Sequence, residues 1–396
     1  MRPIGFGLLY TTAATIGQTL LISLFLPGIK ASFGLGDAQV SLMFTLTTLA
    51  SAVAVWKVGS WLDRTDLVRY ATACGALLAA SCVMMAASSV LASLIAGMFC
   101  LRLAGNGLLT HVAVTATARH YSSDRGLALS VVVLGASLGE GVLPAILLPV
   151  IAAFGWRIAL IALGCFGLSL TIAGALMVRP LAAFRSSHPR VPDVASTLQD
   201  YVAGAKSDNG WYFTLTAALF AAMWLCTTAT IFHQALIAQA KGLSLRWFAV
   251  SFVAFALVRA PVSILTGRLV DRIGSSWLFC THLLPLAVGT IALIVVDAPW
   301  IAPFYWLCAG VTGGIGVVVQ TTVVADRVPR ERLGSARSAL GAMGIVASAA
   351  GPTLYGVALA AGAGLYSVLW ASVAFLLAAT ALGVLATAVD GKRAFS

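Results

Sequence analysis

The chain has 396 residues, of which 60% are hydrophobic and only 9% charged, with a formal net charge of +11 and a mean hydropathy of +0.98. Soluble proteins carry about 25% charged residues, so this chain cannot clothe a water-facing surface, and lipid must take that role. Its basic residues lie in short gaps between apolar runs instead of gathering with aromatics on a polar domain, which excludes a nucleic-acid-binding surface.

Apolar runs of bilayer length predict membrane spans at 6–28, 39–61, 70–88, 91–117, 127–152 and 157–178, then at 212–238, 247–267, 277–296, 300–324, 335–360 and 365–388. The expected fold class is an all-α membrane protein with twelve transmembrane helices in two parallel six-helix repeats. A bundle over 1–178 and a bundle over 212–396 are joined by a cytoplasmic linker over 179–211, which carries Arg179, Arg185, Arg190 and Lys206 with Pro180, Pro189 and Pro192. Met1-Arg2-Pro3 leads straight into the first run without a small-residue cleavage site, so that run is expected to stay as an anchor. With the N-terminus in the cytoplasm, 17 of the 24 Lys and Arg are cytoplasmic, four are external and three (Lys57, Arg102 and Arg259) lie in or near the membrane. This bias predicts a multi-pass protein of a bacterial inner membrane with both termini cytoplasmic.

The seven cysteines all fall inside apolar runs and none forms a C-x-x-C pair, so they read as small buried hydrophobes, with neither disulfides nor a metal site expected. No phosphate-binding loop, H-E-x-x-H or Ser/His/Asp set in a polar domain occurs. The expectation is therefore no catalytic residue, no cofactor and no ATP-driven pump.

The two halves repeat at a constant offset of 208 residues: Gly59, Asp63 and Arg64 match Gly267, Asp271 and Arg272, Arg119 matches Arg327, Gly126 matches Gly334, Pro144 matches Pro352 and Cys100 matches Cys308. Six spans per half give both repeats the same orientation, the parallel repeat of facilitator-type carriers.

Gly59-Ser60-Trp61-Leu62-Asp63-Arg64, followed by Arg69, closely resembles the signature of the major facilitator superfamily between its second and third helices. Gly267-Arg268-Leu269-Val270-Asp271-Arg272 resembles the copy between the eighth and ninth. The resemblance implies a gate. Glycine allows close helix approach, and a carboxylate at the boundary faces the positive end of a helix in the opposite half. Gly59, Asp63, Arg64, Gly267, Asp271 and Arg272 are the gating candidates. A finer resemblance runs through Arg102-Leu103-Ala104-Gly105-Asn106-Gly107, Arg119-His120-Tyr121, Gly135 to Glu140, and Gly155-Trp156-Arg157. It is similar to the monocarboxylate and oxalate/formate branch, and also to bacterial facilitators of unassigned substrate.

Ionisable groups inside a bilayer are costly and mark pathways or partners. Glu140, the one acidic residue deep in a span, is the candidate proton carrier, either that or a static partner of Arg102. Arg102 and Asn106 lie on one helix face and form a candidate binding stripe. Arg259, in the opposite half, is the candidate anchor for a small anion, because guanidinium matches carboxylate geometry. His233, Gln234, Gln18 and Gln320 complete the candidate substrate-binding set. The expected function is a monomeric, proton-coupled secondary transporter of a small organic anion by alternating access; the alternative is proton-driven efflux of drugs or metabolites.

Overall fold

The structure, a computed structural model, describes residues 2–59, 65–121, 125–179, 210–327 and 333–393. Asp63, Arg64 and residues 180–209 of the expected linker lie outside the described residues. The chain divides into two compact units, Met1–Val191 and Pro192–Ser396.

The first unit opens with α1, which runs over Arg2–Ala14, tightens to a 3-10 turn at Thr15–Gly17 and restarts as Thr19–Phe33. The break has a local cause. Thr11, Thr12 and Thr15 return their hydroxyls to carbonyls of the preceding turn, Gly17 favours no helix, and Gln18 is extended (ψ 155°). Next come α2 (Asp37–Gly59), α3 (Leu67–Ala86) and α4, which starts as Leu91–Leu101 and ends as Thr110–His120. Between those parts, where Gly105-Asn106-Gly107 lowers helix propensity, α4 loosens into a π-helix over Arg102–Leu109.

Helix continues over Arg125–Val178 except at Gly155, whose φ of 79° and ψ of 165° are non-helical. A helix of 54 residues is far longer than the about 20 that cross a bilayer, so α5 (125–154) and α6 (156–178) are two spans turned at Gly155. The outer turn is stapled by the two residues that follow. Trp156 donates to Ser32 Oγ at 3.0 Å and packs against Gly28, while Arg157 lies over the Trp156 ring and donates to the Ala86 and Ser88 carbonyls at the end of α3. Gly155-Trp156-Arg157 thus has a structural task, a cation on a helix C-terminus.

The second unit contains α7 (Gly210–Phe232, then Gln234–Ala240), α8 (Leu245–Val250, then Val253–Ile273) and α9 (Ser275–Thr281, then Leu284–Val295). It ends with α10 (Ile301–Arg327), α11 (Leu333–Ala360) and α12 (Leu365–Arg393). α7 is bent by 67° at His233. α11 runs unbroken through Pro352; the sharp interruptions fall at Gln18, Gly155 and His233 instead.

Among the described residues ten helices are long and apolar enough to cross a membrane, and the bent pair in α7 makes eleven. Dividing the 51-residue stretch Ala128–Val178 at Gly155 brings the number to twelve. Boundaries differ from the hydropathy reading mainly at the first span, which extends to Arg2 and Phe33, because helix continues where hydrocarbon ends.

The internal repeat becomes a repeat of helix pairings. In the first unit α1 packs on α5 at Gly7, Gly135 and Gly139, and in the second α7 packs on α11 at Gly344 and Gly351. α2 meets α4 at Gly107, as α8 meets α10 at Gly310 and Gly314. α3 meets α6 through Cys82 and Gly164, as α9 meets α12 through Cys280 and Gly383. In each case a missing Cβ lets backbones approach, which is how helices associate where lipid removes the hydrophobic drive. Five cysteines are buried as expected; Cys100 is only partly buried and Cys165 is exposed on α6, where an apolar thiol costs little in lipid.

Lys241, just past α7, has its side chain only 2% exposed, yet each of its three donors has a partner. Nζ donates to the Ile294 and Val296 carbonyls at the end of α9 (2.8 and 3.2 Å) and to Asp297 Oδ1 at 2.7 Å, and lies over the Tyr366 ring of α12. Lys241→Met is expected to destabilise the fold by about 2–3 kcal/mol, whereas Asp297→Asn, at a carboxylate 78% exposed, should cost under about 1 kcal/mol. Unfolding of both variants in mixed micelles checks this, and equal losses would refute the capping role.

Candidate functional site

In the first unit the break in α1 and the π-helix in α4 lie against each other. A Cβ on Gly17 would stand 2.6 Å from the Leu101 carbonyl oxygen, 2.8 Å from Gly105 Cα and 2.9 Å from the Asn106 backbone nitrogen. Each of Gly17 and Gly105 therefore makes room for the other's backbone. The break releases the Gly17 carbonyl from helical hydrogen bonding, and Arg102, 2% exposed, takes it up through Nη1 at 2.8 Å. Arg102 Nε donates to Thr48 Oγ1 of α2 at 3.1 Å, and the guanidinium lies over the Phe44 ring with 4.9 Å to its centroid. Among the described residues its partners are thus a carbonyl, a hydroxyl and an aromatic face, on α1 and α2.

Glu140 is partly buried on α5 and follows Gly139, which packs against Thr15 of the 3-10 turn. Thr11 and Thr12 fasten the same interface by donating to the Val132 and Gly135 carbonyls at 2.6 and 2.9 Å. Gln18 stands at the α1 break, Arg102 and Asn106 belong to the π-helix packed against it, and Glu140 follows Gly139 on the helix that also packs there. Gly17, Thr48 and Phe44 complete the cluster and were not singled out from sequence; only the low helix propensity of Gly17 hinted at a role.

In the second unit Arg259 sits mid-α8, partly buried, with its guanidinium 5.7 Å from the Phe255 ring centroid. Among the described residues no carboxylate, carbonyl or hydroxyl holds that guanidinium. Its backbone is fixed instead: Gly314 of α10 packs against the Arg259 carbonyl, and Ser263 Oγ donates to the Arg259 and Gly314 carbonyls at 2.9 and 3.0 Å.

His233 occupies the α7 bend, buried, its Nε2 hydrogen-bonded to the Pro352 carbonyl (3.1 Å) and its ring stacked on Tyr355 at 5.8 Å. Tyr355 in turn shares a 2.6 Å hydrogen bond with Ser372 of α12. Thr228 and Ser348 pair hydroxyls at 3.0 Å one turn away. Gln234 is fully buried beside this cluster, and Gln320 is partly buried on α10. Tyr355 and Ser372 were missed from sequence, because neither belongs to a motif.

Of the gating candidates, Asp63 and Arg64 lie outside the described residues, as does the side chain of Asp271. Gly59 ends α2, and Arg272 is exposed in the last turn of α8. No described atom lies within 4 Å of where a Cβ on Gly267 would stand. Among the described residues α8 and α10 approach closely at Gly310 and Gly314.

Two units of membrane-spanning helices that repeat one set of pairings, with a buried arginine in one and a partly buried arginine in the other, define a secondary transporter. The chain belongs to the major facilitator superfamily: the family profile of that description matches residues 7–258 and again 215–394. No curated protein matches the chain. Among solved structures it is similar to a bacterial homolog of the human lysosomal transporter Spinster in an inward-facing, occupied conformation, with 17% identity and a TM-score of 0.76 over 97% of this chain and 96% of that one. The nucleoside transporter NupG matches with 10% identity and a TM-score of 0.76 over 97% and 98%. A peptide transporter in complex with alafosfalin matches with 14% identity and a TM-score of 0.72 over 98% and 94%. At these identities the likeness is one of fold.

Proposed function

We propose that this transporter moves a small organic anion and couples that movement to protons. The reading rests on Arg259. A guanidinium is held inside a span at considerable cost and normally finds a carboxylate or carbonyl. Here the backbone around it is pinned and, among the described residues, the side chain is offered only an aromatic face. A cation prepared in that way is suited to a ligand's carboxylate. Arg102 differs in kind: it is spent on Gly17 and Thr48, and its part is to set the shape and charge of the α1 break where Gln18 and Asn106 stand. Glu140, on the helix packed against that break, is the proton carrier. His233 and Gln234 at the α7 bend, and Gln320 on α10, are further substrate contacts. The gate is formed by Gly59, Asp63 and Arg64 with Gly267, Asp271 and Arg272. The basic residues of the short loops support a cytoplasmic position for both termini, in an inner membrane.

The test is ligand-dependent stabilisation of the purified protein by a panel of small carboxylates and lipophilic cations. A ligand that binds only the folded state raises the unfolding midpoint once its concentration is far above Kd. A carboxylate should stabilise the wild type, and Arg259→Gln should weaken its binding roughly tenfold or more while unfolding normally without ligand. Stabilisation by cations alone would reject the anion reading in favour of efflux, and undiminished carboxylate binding in Arg259→Gln would remove Arg259 as the anchor.

A further inference from the structure

Between α3 and α6 the first unit carries a cleft of about 780 Å³. Consecutive spans alternate in direction, so the start of α3 and the end of α6 lie at the same side of the unit, and the rim of the cleft is there. The rim holds Arg69, in the first turn of α3, and Arg179, just past α6. Deeper in, the walls are Ala73 and Ala76 of α3 against Ile172 and Leu176 of α6. Ile172 and Leu176 are 43% and 58% exposed, so the cleft opens onto the outer apolar surface. The two helices close again near Gly75, where an added Cβ would meet Thr171 Oγ1 at 2.2 Å. The result is a slot with a cationic mouth and an apolar body.

The charges at the mouth are unequal. Asp66 also lines it, but its carboxylate accepts the Arg69 backbone N–H at 3.0 Å as the cap of α3, which directs that charge to the helix end. Among the described residues that line it, the mouth holds two guanidiniums and one capped carboxylate, and the N-terminus of α3 adds partial positive charge. A soluble anion would fit the rim but leave the apolar body without a partner. A phospholipid satisfies both, because its phosphodiester sits at the depth of the interface and its chain runs down the helices. Basic pockets between spans are suited to anionic headgroups for this reason.

We propose that this cleft binds an anionic phospholipid, with the phosphate between Arg69 and Arg179 and an acyl chain along Ala73, Ala76, Ile172 and Leu176. The site is separate from the transport site and stabilises the packing of α3 on α6. Delipidated full-length protein is titrated with phosphatidylglycerol, phosphatidylcholine or inorganic phosphate, and bound lipid is counted by native mass spectrometry alongside thermal unfolding. The wild type should bind phosphatidylglycerol more tightly than phosphatidylcholine by roughly tenfold or more, with a higher unfolding midpoint, and should not respond to inorganic phosphate. The double variant Arg69→Gln with Arg179→Gln should lose that preference. Both side chains are exposed, so its midpoint without lipid should match the wild type. Ala73→Trp, which fills the slot and leaves the charges, should also lose phosphatidylglycerol. Retention of the preference in the double variant overturns the proposal. An equal response to inorganic phosphate also overturns it, by showing a soluble-anion site.

Discussion

Gly17→Ala is expected to destabilise the protein by about 3 kcal/mol, although it adds one methyl group. The methyl would fall within 3 Å of the Leu101 carbonyl oxygen, Gly105 Cα and the Asn106 nitrogen. All three are backbone atoms, so no side chain can swing aside and α1 must move off α4. That movement also lengthens the bond from Arg102 to the Gly17 carbonyl, which strands a buried guanidinium in a low-dielectric interior. Gly105→Ala should act alike, since its Cβ would lie 2.6 Å from Gly17 Cα. The control is Gly341→Ala on α11, where no described atom outside its own helix lies within 4 Å of the added carbon; there the higher helix propensity of alanine should leave stability unchanged or raise it by up to about 1 kcal/mol. Unfolding in mixed micelles gives all three values, and a Gly17→Ala loss no greater than that of Gly341→Ala would show that the α1–α4 contact is not tight.

Glu140→Gln is expected to abolish uptake driven by a pH gradient in proteoliposomes while substrate exchange continues. Gly135 and Gly139 hold α5 against the α1 break, with Thr11, Thr12 and Thr15 filling the interface. A proton gained or lost at Glu140 therefore changes charge on the very helix that packs against the Arg102 cluster. Conformational coupling between sites typically amounts to about 5- to 150-fold, so the gradient-driven rate should fall at least about tenfold. Glutamine keeps the volume and hydrogen-bonding capacity of the side chain, which separates loss of coupling from loss of fold. Proton-driven uptake at the wild-type rate would remove Glu140 from the mechanism.

Residues of the Arg102 cluster show what a linear reading reaches and where it stops. Arg102 and Asn106 stand out from sequence alone, because a charge in an apolar run is conspicuous. A static pair with Glu140 was one of two readings open for that carboxylate. Among the described residues the structure gives Arg102 the Gly17 carbonyl, Thr48 and Phe44. A backbone carbonyl carries no sequence signal, and it becomes an acceptor only because α1 breaks at that residue. The bend at His233 was likewise hidden, since neither proline nor glycine marks it.

The sequence by itself determined that the protein lies in a membrane, where its spans fall and that its halves repeat at 208 residues. Those properties are local or periodic: a bilayer demands about 20 apolar residues at a time, and duplication leaves matched glycines and charges at one spacing. Only the tertiary structure decided which glycines meet another helix among the described residues, as Gly17 and Gly267 differ. It also turned Gly155-Trp156-Arg157 from a mark of resemblance into a staple for the end of α3, and left Arg259 the one of the two arginines without a polar partner among the described residues. Burial and pairing depend on what another helix brings to within a few ångströms, and in a chain this uniformly apolar many helix pairs satisfy hydropathy equally well. Close backbone packing at small residues, acting between segments far apart in the chain, selects among them.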